Sequence, residues 1–438
     1  MAIASLSFDQ APPLAVPLRF FLTAPVFGVV AGVVLLFWPH GMPVTRYAPE
    51  LLAATHLLTL GFIAMSMVGA LLQILPVVAG SASPKRCSSG GCVHVPLVVG
   101  TVGLAAAFLL ERPLLFELAG VLLAIAFGVF LLMLGHALKT ARAHNATVAV
   151  IGFAGGALLL AVSAGFTLAL VLAGTWSVPR WSLVDVHAAW GLIGWVAALV
   201  MGVAWVVVPM FQLTSPYPRG VRRRLVPMLF LSLGVGSAGV ILRAHVLTAV
   251  GVVGTGGTLI FFAAVTLALQ ARRRRRVRDV TLDFWRLGLA CLIVVAAGAG
   301  ALTFSRLAGG ARETVLLGFL FIDGFAVSVI SGMLYKIVPF LVWLHAQQAQ
   351  TAGSRPVGNM KGIISDAAAY AHLGAHALSL ALVSAALFWP ALLAPAAVAL
   401  SLSFALLGAN MGRAAWVHRR LLLNNGAGEQ DADCAMRP

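Results

Sequence analysis

The amino-acid sequence predicts an all-α polytopic membrane protein with about twelve transmembrane helices, and three observations support this fold class. Hydrophobic residues make up 61% of the 438 residues and charged residues only 10%, whereas a soluble domain carries about 25% charged residues. Apolar runs recur along the whole chain, each about as long as the 20 helical residues that cross a ~30 Å hydrocarbon core. Only short polar or Pro- and Gly-containing segments separate them. This composition excludes a water-soluble enzyme and a disordered chain, and the four scattered cysteines exclude a disulfide scaffold.

Each apolar run is expected to form a helix, because lipid cannot hydrogen-bond an exposed backbone. A count of eleven or thirteen stays open, since several junctions are tight. The predicted helices cover residues 17–38, 50–79, 94–111, 115–138, 147–174, 182–212, 225–243, 245–270, 283–305, 312–342, 366–389 and 391–412. The first 16 residues show no cleavable signal sequence. We expect one integral membrane domain over residues 1–438, with residues 413–438 as a cytoplasmic tail.

A sixteen-residue pattern recurs in predicted helices 2, 6 and 10. It reads GFIAMSMVGALLQILP at 61–76, GWVAALVMGVAWVVVP at 194–209 and GFAVSVISGMLYKIVP at 324–339. Each copy has a Gly-aromatic start, Gly at the ninth place and Pro at the sixteenth. Small residues alone could reflect close helix packing, but a costly Pro that recurs in register favours a repeat. We therefore predict three repeated four-helix arcs, approximately at residues 17–138, 147–270 and 283–412.

Basic residues favour one side of the predicted bundle by twenty to six. Because cytoplasmic loops carry the excess of Lys and Arg, both termini are expected in the cytoplasm. The largest group is the run Arg272–Arg276 followed by Arg278. In a soluble protein this run and the pI of 11.2 would indicate nucleic acid. In a membrane protein, contact with anionic lipid is the simpler interpretation, so membrane lipid is the expected partner and nucleic acid is not.

Two histidines enter the membrane from the predicted outer side at a similar depth. His56 lies about six residues into helix 2 and His187 about five into helix 6, roughly 8–9 Å below the boundary at 1.5 Å per residue. Histidines on facing helices at one depth are what a six-coordinate haem iron requires. His245, at the outer start of helix 8, is an alternative ligand. A hydrogen bond to a backbone carbonyl is the competing interpretation for each.

Further polar residues fall at the predicted helix ends or inside the membrane. Arg243 and Arg312, at outer ends, could pair with haem propionates or simply mark the interface. At the inner side, His372 and His376 share one helix face, a spacing that lets two imidazoles bind one metal, with His136 at a similar depth. A polar inner rim is the alternative. Asp323, deep in helix 10, indicates proton transfer, a hydrogen bond to a cofactor, or a buried protonated acid.

Twelve helices in three arcs, with an outer-level histidine on helix 2, resemble subunit I of the haem–copper oxidases and nitric oxide reductases. In that family the helix 2 histidine is an axial ligand of a low-spin haem, and His56 matches it. His187 roughly matches a copper ligand on helix 6. The resemblance implies a haem b protein in a bacterial inner membrane, with copper as a second metal.

The sequence departs from the oxidase pattern in two places, so it resembles only part of that family. Residues 314–325 of helix 10, TVLLGFLFIDGF, lack the family's histidine pair, and residues 225–243 of helix 7 lack the copper-binding histidines. Without these histidines, the chain cannot form the oxygen-reducing centre of the family. The chain is therefore more similar to the diverged haem–copper proteins of the NnrS type, which implies a role in the nitric oxide response or metal handling.

Three functions remain open from the sequence. A haem protein could transfer electrons, bind nitric oxide or protect a metal centre, and its electron donor would be a redox protein or a quinol, since no Cys-x-x-Cys-His motif is present. Repeats, prolines inside helices and a membrane-depth acid are also features of secondary transporters. The pair His372 and His376 would suit a metal carrier or assembly factor. Whether the protein is an enzyme, and its oligomeric state, are not indicated.

Overall fold

The structure is a computed structural model that describes residues 12–38, 44–79, 90–142, 145–274, 277–304, 310–348 and 359–435. These residues form helices and contain no strand. Among these described residues, twelve helices are long and apolar enough to cross a membrane, so the predicted fold class and helix number are confirmed. We number them α1 to α12, and they span Ala15–Leu36, Pro49–Pro76, Gly91–Leu110, Pro113–Lys139, Ala146–Leu172, Arg180–Gln212, Arg219–Ile241, His245–Ala271, Val280–Phe304, Ala311–Gln348, Asp366–Ala386 and Pro390–Leu421.

Several helix ends differ from the sequence prediction, and two of them show why. Helix α7 begins at Arg219 instead of residue 225, so Arg222 to Arg224 lie on the helix and not in a loop. Pro218 occupies the N-cap, where no backbone N–H is needed, and long Arg side chains can extend from a helix end to the interface. The last helix continues from Leu393 to Ala435, through residues predicted as a tail. The apolar pattern of the sequence ends with the membrane span, whereas the backbone hydrogen bonds of the last helix continue beyond it.

Burial divides the helices into an inner and an outer set. In the most apolar stretch of α2, α6 and α10, 72% of the residues are buried, against 28–50% in the other nine. The outer helices pack against their sequence neighbours, and α1 packs against α12, which closes the ring. At this closure a Cβ on Gly32 would lie 2.3 Å from Ser401 Oγ. Only glycine permits this approach of the first and last helices.

Each inner helix contains an eight-residue π-helical segment. The three segments are Leu57–Ala64, Trp190–Ala197 and Leu320–Val327. Each begins four residues before the first Gly of the sixteen-residue pattern, at Gly61, Gly194 and Gly324. The segment of α10 contacts those of α2 and α6. The π-helical turns therefore occur in register with the sequence pattern and meet at the centre of the bundle, while the division of the chain into three arcs stays a prediction.

Candidate functional site

A cavity of about 890 Å³ lies at the end of the bundle where α2, α6 and α10 begin, which is the predicted outer side. Its described lining comes from α1 to α6 and from α10 to α12, with none from α7 to α9. Most of the lining is apolar, including Leu58, Leu123, Phe127 and Leu168. Cofactor sites commonly have volumes of about 300–1,000 Å³ and few polar groups. The cavity therefore has the size and polarity of a site for a large apolar ligand.

His56 and His187 face each other across this cavity. Their ring centres are 6.4 Å apart, and the angle between the ring planes is 17°. Two imidazoles that share one metal ion are expected about 6 Å apart, from two metal–nitrogen bonds of about 2 Å and about 1 Å from each nitrogen to its ring centre. The separation of the two ring centres is therefore close to that of two histidines bound to one metal.

Backbone carbonyls fix the orientation of both rings. His56 Nδ1 donates to the Leu52 carbonyl at 2.8 Å, and His187 Nδ1 donates to the Ala161 carbonyl at 2.9 Å. Neither Nε2 has a hydrogen bond in the part of the chain that the structure describes. A ligating histidine usually donates its other ring N–H in this way, which fixes the tautomer and raises the basicity of the ligand. From the sequence, a hydrogen bond to a backbone carbonyl was the alternative to metal binding for each histidine. In the structure this bond uses Nδ1, so Nε2 of each ring stays available to a ligand.

Local backbone structure places the two rings. His56 directly precedes the π segment of α2, and His187 lies three residues before that of α6. The ring of His187 packs on Gly165 of α5, where a Cβ would lie 2.9 Å from His187 Cε1. Phe108 of α3 lies beside the other ring, 5.3 Å from His56 between centres. Glycine on α5 is therefore needed for His187 to lie where it does.

Three arginines line the cavity at its outer end: Arg46, Arg180 and Arg312. Arg46 pairs with Asp185 at 2.7 Å, and Arg180 lies over the ring of Trp181 at 4.9 Å. Burial lowers the pKa of Arg46, but Asp185 and Tyr47 outweigh it, so the net shift is upward. Arg312 takes part in none of the ion pairs among the described residues. The mouth of the cavity is cationic and can receive carboxylate groups.

Two residues predicted for this site lie elsewhere. Arg243 is exposed in the turn after α7, in a left-handed conformation with φ of 55°. His245 is exposed at the first residue of α8. Neither is among the described residues that line the cavity. Their depth in the sequence matched that of His56, but α7 and α8 pack on a part of the bundle away from the cavity.

A second polar cluster lies deeper in the bundle, between α10, α11 and α12. His372 and His376 are both buried, with ring centres 6.1 Å apart. His372 Nδ1 is hydrogen-bonded to the Tyr335 hydroxyl at 2.9 Å, and His376 Nε2 to the Ser328 hydroxyl at 2.8 Å. Asn410 donates to the same tyrosine oxygen at 2.9 Å. The pair is thus part of a buried hydrogen-bond network that joins three helices.

His136 is not part of this cluster. It is exposed near the end of α4, and no group of three or more His, Cys, Asp or Glu suited to a metal ion occurs among the described residues. The two buried histidines therefore have no third ligand of these types. Their hydroxyl partners account for one nitrogen of each ring without any metal.

Asp323 lies in the π segment of α10 and is fully buried. Neither carboxyl oxygen has a hydrogen-bond partner among the described residues. Its neighbour Gly324 packs against Cys291 of α9 and Leu380 of α11. Buried polar groups almost always have partners, often ordered water. An unpartnered acid at the meeting point of the π segments marks this position for hydration or proton binding.

Sequence reasoning did not assign Arg46, Arg180 and Gly165 to the site. A signal was present for the two arginines, since Arg46 precedes His56 by ten residues and Arg180 precedes His187 by seven. Each thus lies at the outer approach to a helix with a candidate ligand. Nothing in the sequence distinguishes Gly165 from the other glycines of α5, because its role depends on contact with another helix.

No model of a known protein family matches this chain, and no curated protein matches it. The functional argument therefore rests on the geometry of the cavity and its polar groups.

Proposed function

We propose that the protein binds one haem b in the cavity, with His56 and His187 as the two axial ligands. The observation that carries this proposal is the pair of rings 6.4 Å apart, each with Nδ1 bonded to a backbone carbonyl. Bis-imidazole ligation requires two neutral histidines with the remaining nitrogens unoccupied. His345 makes the same kind of bond, to the Leu341 carbonyl at 2.9 Å, so the proposal rests on the pair of rings at the cavity and not on the carbonyl bonds alone.

The remaining lining suits the parts of a haem. Apolar side chains from α3, α4 and α5 match the porphyrin, and the cationic mouth matches its two carboxylates. Arg312 and Arg180 are the proposed partners of the propionates, because Arg46 is already paired with Asp185. Guanidinium groups bind carboxylates through paired hydrogen bonds. The cationic mouth and the two imidazole rings therefore suit different parts of the same haem.

Electron transfer is the activity that this ligation supports best. Haem with two protein ligands supplies a one-electron carrier whose axial positions are both filled. His56 and His187 hold their positions through the backbone, so a small ligand such as nitric oxide would have to displace one of them. A role in the nitric oxide response, as in NnrS-type proteins, therefore requires release of one histidine. Copper, if the protein uses it, would need ligands outside this pair.

An absorption spectrum of the purified chain tests the proposal. After expression with a haem precursor, a Soret band, sharp reduced α-bands and about one haem per chain are expected. Added nitric oxide should shift the spectrum slowly or incompletely, because both axial positions are occupied. Absence of haem, or a five-coordinate spectrum in the unliganded protein, would contradict bis-histidine ligation.

The proposed setting is a bacterial inner membrane with both termini in the cytoplasm. In that topology the cavity lies in the outer half of the membrane, because α2, α6 and α10 all begin there. An electron donor would be a quinol in the membrane or a redox protein at the outer face. This arrangement rests on the distribution of basic residues and on the resemblance to oxidase subunit I.

A proton-coupled secondary transporter is the second candidate, and Asp323 is the observation that favours it. Transporters place acids near the membrane midplane, beside interrupted helices. Asp323 lies in a π segment that contacts two others and has no described partner. Proteoliposomes with an internal pH dye would detect proton flux, and Asp323→Asn should abolish it. Haem-free protein with Asp323-dependent flux would make transport the better function.

A further inference from the structure

One end of the bundle carries an uncompensated cluster of arginines on α7 and α8. Eight described arginines lie there: Arg219, Arg222, Arg223, Arg224, Arg272, Arg273, Arg274 and Arg278. Arg275 and Arg276 lie outside the residues that the structure describes. From Val186 to Arg278 the chain contains no Asp or Glu. The positive charge in this part of the protein therefore has no local counter-charge in the sequence.

Hydrogen bonds hold the two basic segments beside each other. The Gln270 side-chain amide donates to Gln212 Oε1 at 2.9 Å, and the Arg274 N–H donates to the Leu213 carbonyl at 3.3 Å. The Tyr217 hydroxyl bonds to Thr266 at 2.9 Å. Helix α7 begins two residues after Tyr217, and the arginine run begins two residues after Gln270. Both sets of arginines thus start from one hydrogen-bonded cluster.

The nearest acids in the sequence are already engaged elsewhere. Asp279 pairs with Lys336 at 2.9 Å. Asp283 lies 3.9 Å from Arg286 and accepts a hydrogen bond from Tyr370 at 3.1 Å. None of the ion pairs among the described residues includes an arginine of this cluster. Within the described chain the cluster therefore has no ion-pair partner, and Arg273 Nη2 instead donates to the Val277 carbonyl at 2.7 Å.

Arg222 adds an observation that surface charge alone does not explain. Its Nε is buried and has no hydrogen-bond partner among the described residues. A buried guanidinium nitrogen without an acceptor costs free energy, and charged groups cost most. Because this nitrogen is closed to solvent, a ligand would bind half-buried Arg222 through its terminal guanidinium nitrogens, and an oxygen would reach Nε only after the side chain moves.

We infer that the end of α7 and α8 forms a specific site for the phosphate headgroup of an anionic phospholipid, with Arg222 as its innermost contact. Phosphodiester oxygens supply the negative charge that the cluster lacks and further hydrogen-bond acceptors for its guanidinium groups. Exposed apolar side chains continue from the site along the helices: Met228 and Leu231 on α7 and Phe261 on α8. Acyl chains can lie on this face, whereas a nucleic acid has nothing to place there. The site is separate from the haem cavity, to which α7 and α8 contribute no described lining.

The test compares two arginine triplets in the purified full chain. One variant carries Arg222→Gln, Arg223→Gln and Arg273→Gln in the site. The matched control carries Arg413→Gln, Arg419→Gln and Arg420→Gln on α12, at the same predicted side. Native mass spectrometry would then measure binding of diphosphatidylglycerol, phosphatidylglycerol and phosphatidylcholine. Circular dichroism and elution volume show whether each variant is folded.

The site predicts saturable binding of an anionic lipid to the wild type and to the control. At about fivefold in affinity for each arginine near a membrane surface, the site triplet should weaken that binding about a hundredfold. Arg222→Lys, which retains the charge but lacks the forked guanidinium, should weaken it several-fold and serves if the triplet does not fold. Equal losses in the site and control triplets would overturn the proposal. So would equal binding of phosphatidylcholine, or inorganic phosphate or an oligonucleotide displacing the lipid.

Discussion

The imidazole rings of His56 and His187 lie 6.4 Å apart with nearly parallel planes, although 130 residues separate them in the chain. Each ring donates from Nδ1 to a backbone carbonyl, one on its own helix and one on α5. This relationship is the geometric basis of the proposed haem site. It gives the two histidines the same place in the proposed site, although His56 lies five residues before the sixteen-residue pattern and His187 seven residues before it.

Replacement of either histidine should convert the proposed haem spectrum. His56→Ala and His187→Ala each remove one axial ligand, so a low-spin signature should become high-spin or disappear while the protein still inserts. His245→Ala is the matched control, because His245 is exposed and outside the described lining. Reduced-minus-oxidised spectra of membranes provide the measurement. An unaltered spectrum in His56→Ala would defeat the assignment, and one in His187→Ala alone would mean that another group is the second ligand.

Gly165→Ala should disturb the site without removing any ligand. The added Cβ would lie 2.9 Å from His187 Cε1, so the ring must move. Overpacking costs about 1–3 kcal/mol, which corresponds to about 5-fold to 150-fold in haem affinity if the whole cost falls on the bound state. Gly156→Ala on the same helix is the control, since nothing lies within 4 Å of its Cβ. Haem titration of both variants measures the difference. Equal affinities would show that His187 is not held against α5 in the haem-bound protein.

Arg312→Gln should weaken haem binding, whereas Arg243→Gln should not. Arg312 lines the cavity mouth, and Arg243 lies in an exposed turn away from it. Loss of a hydrogen bond to a charged carboxylate costs about 1.5–3 kcal/mol, or about tenfold or more in affinity. The rate of haem transfer to apomyoglobin reports this loss. If both variants lose haem equally fast, the propionates are held by other groups.

The buried pair His376 and Ser328 should behave as a hydrogen-bonded unit. Ser328→Ala leaves His376 Nε2 without its described partner, at a cost of about 1–3 kcal/mol. Adding His376→Leu to that variant should restore part of the lost stability, because both polar groups are then absent. Thermal unfolding in detergent gives the double-mutant cycle. A simple sum of the two losses would indicate that the contact is not made.

The same network provides a test of the inner metal site. If His372 and His376 serve only the network, His372→Gln with His376→Gln should leave the copper and zinc content unchanged. Elemental analysis of the purified variant measures both metals. Loss of a stoichiometric metal, with the haem spectrum intact, would instead show that the pair ligates it through its remaining nitrogens.

The orientation of the bundle can be tested with reporter fusions. Because basic residues favour one side by twenty to six, a fusion after Arg278 and one at each terminus should be active only with cytoplasmic reporters. Fusions in the turn at Arg243 should be active only in the periplasm. Periplasmic activity after Arg278 would reverse the topology and place the haem cavity on the cytoplasmic side.

Helix number was predictable because hydropathy depends on composition over about 20 residues, and neighbours in space do not alter it. The central helices were recognisable for a related reason. Their shared pattern of Gly and Pro indicated that the three backbones have a common local structure. The structure shows a π segment at the same place in each copy. Helix ends were less predictable, as Arg219 and the extension to Ala435 illustrate. A helix can continue past the membrane without any apolar signal.

The site was only partly predictable, and His187 shows why. Shared depth predicted His56 and His187 as a ligand pair, but the two differ by two positions in the repeat alignment, which rotates a side chain by about 200°, so the repeat did not predict that the rings would face each other. Its ring nevertheless reaches the cavity, because Gly165 on another helix gives it space and the Ala161 carbonyl orients it. Depth in the sequence likewise grouped His245 with these residues, although α8 packs elsewhere. Which helices pack beside each other depends on contacts between distant parts of the chain, and the depth of a residue in the membrane does not predict those contacts.

The sequence by itself determined that this protein is a bundle of twelve membrane helices, that three of them share a pattern, and that His56 is a candidate ligand. Hydrophobicity, small residues and helical rise act locally, so they can be read along the chain. Only the tertiary structure decided that His187 faces His56, that Arg312 lines the cavity and Arg243 does not, and that His372 and His376 bond to hydroxyl groups. Each of these contacts depends on which faces of distant helices pack together. Many side chains determine that packing at once, so it cannot be read from any one segment of the sequence.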